Sequence, residues 1–196
     1  MTAAASAPLT IKKRRSSARK FPTSFAEYLA WQPKDSYHYE WKNDRLLKID
    51  PMIYPKRLHI IDNLTRLFAT TNAYRKGDSL MPELRMQTVD KRACVPDISY
   101  WTLQQIREHA ANRRTISPFI VEIISEKDTA YEVDSKIDEY FSVGVRLVWH
   151  IFPETKKIYA FSSPYHVSIY HGDSICSAEE VIEGFSMSAK DIFKLP

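Results

Sequence analysis

The sequence predicts a single α+β domain in which a mixed β-sheet is flanked by helices. Three observations favour this fold class. Segments with the two-residue period of strands outnumber helical ones, the segment 118–124 is apolar enough for a strand buried on both faces, and no internal repeat is present. A chain of 196 residues that is 44% hydrophobic also has the right size to bury one core.

The N-terminal segment differs in charge from the rest of the chain. Six basic residues, from Lys12 to Lys20, precede the first acidic residue, Glu27, so the remainder carries 22 basic and 24 acidic residues. We expect residues 1–22 to form a disordered basic arm and residues 23–196 to form the domain. The arm is either a contact for nucleic-acid phosphates or a solvated tail, and both alternatives stay open.

A short helix and a hairpin are predicted to begin the domain. Ser24 and Glu27 have the spacing of a capping box, so a helix should start there. Two strand-like segments, 37–41 and 45–49, flank Asn43-Asp44, and these two residues tolerate the left-handed backbone of a tight turn. The two segments should therefore pair.

Helices and strands are then predicted to alternate. Apolar residues at three- and four-residue steps predict a long helix from 55 to about 75, and a polar segment predicts a second helix over 102–111. The segments 80–89 and 95–101 are predicted strands. The segment 118–124 should lie at the centre of the sheet, because it is too apolar to have one face in water.

The C-terminal half is predicted to continue with one helix and a meander. A helix over 129–143 has one apolar face, ends before Gly144 and should pack on the central strand. Three strands and a last helical turn capped by Ser188 should follow. The predicted strands are 145–152, 158–162 and 165–170.

Cysteine spacing and hydropathy indicate the environment of the protein. Cys94 and Cys176 are far apart and form no Cys-x-x-Cys motif, so we expect reduced thiols and neither a zinc site nor a disulfide framework. No apolar run reaches the roughly eighteen residues that a membrane helix needs, and the N-terminus lacks the apolar stretch of a secretion signal. A soluble cytoplasmic protein is expected.

Glu122 is the most informative residue for function. A carboxylate within the apolar segment 118–124 is costly to bury without a partner, and either a metal ion or a salt bridge would compensate it. Asp97 opens an earlier apolar strand, where an acidic residue alone is typical of a turn. If the two strands are neighbours, the two carboxylates can converge.

Lys136, taken alone, is an ordinary solvated lysine on the helix after Glu122. If this helix packs back over the central strand, the ammonium group can reach both carboxylates. Two acids that bind a hard cation beside a lysine suit phosphodiester hydrolysis. The cation polarises the phosphoryl oxygen and lowers the pKa of bound water, and the lysine stabilises developing negative charge. A partly buried Glu122–Lys136 ion pair is the alternative.

Short phrases in a fixed order extend over about residues 37–194. They are Tyr39-Glu40-Trp41, His59, Val95-Pro96-Asp97-Ile98, Val121-Glu122-Ile123-Ile124-Ser125, Lys136, Tyr140, Gly144-Val145, Val148-Trp149, Pro153 and Glu183-Gly184-Phe185. Together they resemble the Uma-two (Uma2) family of endonucleases, a branch of the PD-(D/E)xK superfamily with the restriction-endonuclease-like fold. Each phrase alone is weakly specific, and the order and spacing carry the resemblance.

The resemblance implies a Mg²⁺-dependent endonuclease that acts on DNA, with Mn²⁺ as a substitute and a homodimer as the expected assembly. It implies that Asp97 and Glu122 bind the metal ion, with the Ile123 carbonyl as a further ligand. Lys136 corresponds to a helix-borne lysine that replaces the usual strand lysine. Glu40 either holds a second metal ion, orients Lys136, or is a surface carboxylate of the hairpin.

The remaining expectations concern assisting residues and one departure from the family. Ser125 and Tyr140 should hydrogen-bond the carboxylate or fix the lysine, and His59 either contacts a substrate phosphate or is an ordinary helix histidine. The superfamily pattern has lysine where this chain has Ile124. If Lys136 replaces that lysine the protein is an enzyme, and if the lysine is lost it is a nucleic-acid or protein binding module.

Overall fold

The computed structural model describes residues 21–35, 37–49, 55–89 and 91–195, so positions 1–20 of the predicted arm lie outside the described residues. Within these ranges there are six helices and twelve strands. The helices are α1 (Phe25–Ala30), α2 (Pro55–Phe68), α3 (Asn72–Arg75), α4 (Leu103–Ala110), α5 (Ala130–Ser142) and α6 (Ala189–Ile192). The strands are β1 (His38–Lys42), β2 (Arg45–Ile49), β3 (Ser79–Pro82), β4 (Met86–Gln87), β5 (Ala93–Cys94), β6 (Ile98–Trp101), β7 (Phe119–Ile123), β8 (Leu147–Phe152), β9 (Lys157–Ser163), β10 (His166–His171), β11 (Ile175–Ser177) and β12 (Ser186–Ser188).

The strands form one large mixed sheet and two smaller ones. The large sheet has the order β10-β9-β8-β7-β6-β3, the second has the order β2-β1-β5-β4, and β11 pairs with β12. In the large sheet β7 and β8 run parallel, and α5 is the crossover between them. The predicted central position of β7 is confirmed, because it has a partner on each side.

Alternating side chains along β7 divide the core into two layers. Phe119 and Val121 pack in one apolar cluster with the inner face of α2, and Ile120 packs in a second cluster with Ile137 of α5. The predicted packing of α5 on the central strand β7 is therefore confirmed. Since side chains two positions apart share a face, Glu122 lies on the α5 side of the sheet with Ile120.

The first helix and the hairpin form as predicted, with one difference at the helix cap. Asn43 and Asp44 have φ values of 53° and 54°, the left-handed backbone expected of the hairpin turn. Ser24 caps α1 by accepting a hydrogen bond from the backbone N–H of Glu27 at 3.2 Å. The Glu27 carboxylate accepts from the backbone N–H of Thr23 and not of Ser24, so the capping box is half formed.

Three predicted elements differ from the structure. The long helix ends at Phe68, because the Thr71 hydroxyl donates to the Phe68 carbonyl and then caps α3 by accepting from the Tyr74 N–H. The predicted strand 80–89 is broken at Glu83, whose φ is 54°, and its two parts join different sheets. The strand predicted over 95–101 begins only at Ile98.

The C-terminal half follows the prediction closely. Gly144 has a φ of 101° and ends α5, the meander β8-β9-β10 is present, and Ser188 caps α6. The β11–β12 pair was not predicted. Cys94 and Cys176 are both buried and form no disulfide with each other. No helix in the described part of the chain is long and apolar enough to cross a membrane.

Candidate active site

A cleft of about 810 Å³ opens on the α5 side of the sheet, where the end of β7 meets β1. Glu40, Asp97, Glu122 and Lys136 all line it, although they come from β1, from the residue before β6, from β7 and from α5. The structure therefore brings together the four residues that the sequence predicted as the reacting site.

Strand register places the two key carboxylates side by side. β6 and β7 pair Ile98 with Val121. The next position outward brings Asp97 opposite Glu122 on the same face. The backbone N–H of Ile123 donates to Asp97 Oδ2 at 2.6 Å and holds that carboxylate at the end of β7. Both carboxylates thus face one cleft.

Lys136 joins Glu122 to a third carboxylate. Its Nζ lies 3.2 Å from Glu122 Oε1 and 3.4 Å from Glu40 Oε1. Glu40 is only 5% exposed and accepts from the backbone N–H of Val95 at 3.1 Å, so the alternative of a surface hairpin carboxylate is wrong. Burial acts to lower the pKa of Lys136, but Glu122 and Glu40 outweigh it and hold this pKa well above its ordinary value. The ammonium therefore stays protonated.

Tyr140 orients Glu122, as predicted for a hydrogen-bonding neighbour. Its hydroxyl donates to Glu122 Oε1 at 2.5 Å, and burial together with the Glu122 charge raises the pKa of Tyr140, so the hydroxyl remains a donor. Within the described ranges, both hydrogen bonds to Glu122 reach Oε1. The other carboxylate oxygen, Oε2, accepts no hydrogen bond from a described residue.

The positive groups around Asp97 compensate its burial and the neighbouring negative charge only in part. Burial and the charge of Glu122 raise the pKa of Asp97 to about 7, although Arg57 and the Ile123 N–H act to lower it. Two neighbouring carboxylates whose charges are under-compensated favour an additional cation between them.

The donor set suits a hard divalent cation. No group of three or more His, Cys, Asp or Glu side chains among the described residues is arranged to hold a metal ion. Asp97 and Glu122 supply two carboxylates, and Mg²⁺ is commonly held by one or two carboxylates while water and substrate phosphate complete its shell. The pair therefore fits Mg²⁺ or Mn²⁺ and lacks the ligands of a zinc cage. The Ile123 carbonyl stays a predicted ligand.

Ser125 makes a different hydrogen bond from the predicted one, and His59 does not line the cleft. The Ser125 hydroxyl lines the cleft but donates to Asp128 Oδ2 at 2.7 Å, so the expected bond to the site carboxylate or the lysine is not formed. His59 of α2 is not among the residues that line the cleft. Arg57, two positions earlier on the same helix, lines it and contacts Asp97.

Sequence reasoning missed both Arg57 and His150. His150 lies opposite Glu122 in the β7–β8 register and lines the cleft, and its buried Nε2 has no hydrogen-bond partner in the part of the chain that is described. Burial and Lys136 lower the pKa of His150 to about 4, so the imidazole is neutral at pH 7. A polar residue inside the apolar segment 147–152 was the available signal, whereas the helical pattern around Arg57 gave none.

Comparisons with known proteins agree with this fold. A family model described as "Uma2: Putative restriction endonuclease" matches residues 25–190. A crystal structure described as a putative nuclease belonging to DUF820, from Anabaena variabilis, superposes with a TM-score of 0.74 at 19% identity, covering 88% of this chain and 98% of the other. No curated protein matches the sequence. The predicted restriction-endonuclease-like fold is confirmed.

Proposed function

Since the chain belongs to the Uma2 family of putative restriction endonucleases, we propose that it hydrolyses DNA phosphodiester bonds in this cleft with Mg²⁺ or Mn²⁺. One observation carries the proposal. Asp97 and Glu122, carboxylates from neighbouring strands, face the same cleft, and Lys136 lies 3.2 Å from Glu122.

Asp97 and Glu122 are the proposed metal ligands, with the Ile123 carbonyl as a third. When bound, the cation would polarise the phosphoryl oxygen and lower the pKa of bound water. The oxygen of Glu122 that accepts no hydrogen bond in the described structure is the one available to it.

The chain's own groups supply positioning and charge. Lys136 stays protonated, so it acts as a cation that stabilises negative charge on the phosphate and not as a base. Glu40 fixes the ammonium 3.4 Å away, which favours the role of orienting Lys136 over that of holding a second metal ion. Tyr140 fixes Glu122 through Oε1.

The charge of the cleft supports a metal requirement for DNA binding as well. Seven acidic and five basic residues line it, so its own side chains do not attract a polyanion. Divalent cations should therefore strengthen DNA binding. The basic arm as a phosphate contact, and a homodimer that presents two clefts to the two strands of a duplex, are further parts of the proposal.

Cleavage of plasmid DNA tests the proposal. Purified protein should cut DNA with Mg²⁺ or Mn²⁺ and not with EDTA. Asp97→Ala should reduce the rate by about 10²–10³-fold, because a ligand of the charge-stabilising ion is removed. Asp62→Asn, a half-exposed acid on α2 that pairs with Arg66, is the matched control and should leave the rate unchanged. Cleavage that persists unchanged in Asp97→Ala contradicts the assigned site.

One observation favours a second candidate function, a non-catalytic binding module. Ile124 lines the cleft at the position where the superfamily pattern has its lysine, and Lys136 reaches the site only from a helix. For a module, DNA binding should be strongly salt-sensitive, should occur without divalent ions and should disappear when residues 1–20 are deleted. Metal-dependent cleavage excludes this alternative.

A further inference from the structure

Arg57 enters the cleft beside the proposed metal ligands. Its Nη2 contacts Asp97 Oδ1 and lies 3.1 Å from Glu83 Oε1. The side chain is 22% exposed, whereas Arg66, nine positions later on the same helix, is 76% exposed. Two acids therefore hold this guanidinium in a fixed place at the wall of the cleft.

Most N–H donors of the Arg57 guanidinium make no hydrogen bond with a described residue. Both acids contact the same nitrogen, Nη2, and in the described part of the chain Nε and Nη1 of Arg57 make no hydrogen bond. A guanidinium has five N–H donors in a planar fork. The contacts with Asp97 and Glu83 orient the group without filling that fork.

Three other basic residues of the cleft have side-chain partners of their own. Lys42 Nζ donates to Ser135 Oγ at 3.0 Å, Lys48 Nζ lies 3.3 Å from the centre of a tyrosine ring, and Lys136 is held between two glutamates. Arg57 is the residue here whose donor geometry matches the two oxygens of a phosphate group.

We propose that Arg57 binds a phosphate of the nucleic-acid substrate next to the metal ligands, with Asp97 and Glu83 as its positioning residues. The proposal rests on the proposed nuclease function and deepens it. Arg57 lies in the first turn of α2, where the positive end of the helix dipole also favours binding of an anion.

Binding of a short fluorescein-labelled DNA duplex, measured by anisotropy over a series of salt concentrations, tests this role. Ca²⁺ replaces Mg²⁺, since both prefer oxygen ligands, and cleavage is monitored in the same samples. Arg57→Gln should weaken binding by about tenfold for any DNA sequence and reduce the slope of log K against log salt by about one. Arg66→Gln is the matched control and should change neither quantity.

Arg57→Lys separates fork geometry from charge. This variant keeps a cation beside Asp97 and should fold even if Arg57→Gln does not. It should keep the salt slope of the wild type and bind DNA several-fold more weakly, because an ammonium cannot bind a phosphate in the two-pronged manner of a guanidinium. Wild-type affinity in Arg57→Lys together with a wild-type salt slope in Arg57→Gln overturns the proposal.

A thermal-shift titration with Ca²⁺ excludes a purely structural role. Arg57→Gln should retain the Ca²⁺-dependent rise in melting temperature, since both metal carboxylates remain. If Arg57→Gln loses this rise but binds DNA like the wild type, Arg57 acts only by positioning Asp97, and the proposal is wrong. A wild-type protein that binds no DNA removes the proposed function and this inference with it, whereas wild-type binding that Arg57 substitutions leave intact removes only the inference.

Discussion

Two glutamates, Glu122 and Glu139, are almost equally buried, at 6% and 5% exposed, yet their surroundings differ. Glu139 of α5 lies away from the cleft and receives the Thr88 hydroxyl and the Cys94 thiol on Oε1 and the Arg92 guanidinium on Oε2. Both of its oxygens are used and one cation balances its charge.

Glu122 belongs to a larger group in which acids outnumber bases. Three carboxylates, those of Glu40, Asp97 and Glu122, share the ammonium of Lys136 and the guanidinium of Arg57. The Glu122 charge helps to raise the pKa of Asp97, and Glu122 Oε2 accepts no hydrogen bond from the described residues. Burial alone therefore does not distinguish the two glutamates, whereas incomplete charge compensation beside a cleft marks Glu122 as the residue of the proposed site.

The largest expected effect is on catalysis and separates the two glutamates. Glu122→Gln should lower the rate of Mg²⁺-dependent DNA cleavage by about 10³-fold, because a proposed metal ligand loses its charge. Glu139→Gln should keep the rate within a few-fold of the wild type. Initial rates on plasmid DNA measure both variants. Equal losses in the two variants would mean that incomplete charge compensation does not mark the active site.

Stability should respond in the opposite order. Glu139→Gln should lower the free energy of unfolding by about 2 kcal/mol, or roughly 4–8 °C in melting temperature, since a mostly buried ion pair loses one partner. The partial exposure of Arg92 keeps this value below that of a fully buried pair. In EDTA, Glu122→Gln should lower the melting temperature less than Glu139→Gln does, because relief of repulsion with Asp97 offsets part of the lost ion pair with Lys136. A larger drop in Glu122→Gln than in Glu139→Gln would contradict this.

Tyr140→Phe tests the orientation of Glu122 with a smaller effect. The variant keeps the ring packed in the core and removes the hydroxyl that donates to Oε1. Mg²⁺ affinity should fall by about tenfold, as is typical when a group that holds a metal ligand is removed. Titration of the Mg²⁺-dependent melting temperature measures the affinity. An unchanged affinity would show that Lys136 alone orients the carboxylate.

The smallest expected effect is a pH dependence of stability in EDTA. The pKa of Asp97 is about 7 in the folded protein, above its ordinary value, so its stabilising effect is present at low pH and lost as the pH rises through 7. From about pH 6 to about pH 8 this contribution of Asp97 should fall by about 1 kcal/mol, equivalent to a few degrees in melting temperature.

Asp97→Asn is the control, because it lacks the Asp97 contribution. His150 acts in an overlapping window with the opposite sign, because its lowered pKa gives stability that is present above its unfolded pKa of about 6.5 and lost as the pH falls toward about 4. The stability of the wild type relative to Asp97→Asn should therefore fall between pH 6 and pH 8. A relative stability that stays constant or rises over this range would contradict the assigned shift.

Local patterns predicted most of the fold because local forces determine those elements. The left-handed turn at Asn43-Asp44, the cap at Ser188 and the apolar run of β7 each need only a few neighbouring residues. The predictions failed where a tertiary contact or a single side chain determines where an element ends. Thr71 ends one helix and caps the next, and Glu83 divides one strand between two sheets.

The candidate site was predictable where it depends on the alternation of side chains between the two faces of a strand. Asp97 directly precedes one apolar strand and Glu122 lies within another, and the register of these neighbouring strands brings them together. Arg57 and the interaction of Glu40 with Lys136 depend on how α2 and the hairpin pack against the sheet, which no local spacing encodes. The sequence pattern also gave Ser125 a role that its hydrogen bond to Asp128 does not support.

The crossover that joins β7 to β8 has a consequence for how the site is assembled. Two parallel strands require a long connection, and Lys136 lies on it rather than on the sheet. A partly folded chain that has paired β6 with β7 but has not yet docked α5 carries two adjacent acids without their ammonium. In the proposed mechanism, chemical competence is therefore tied to docking of the crossover helix and not to strand pairing alone.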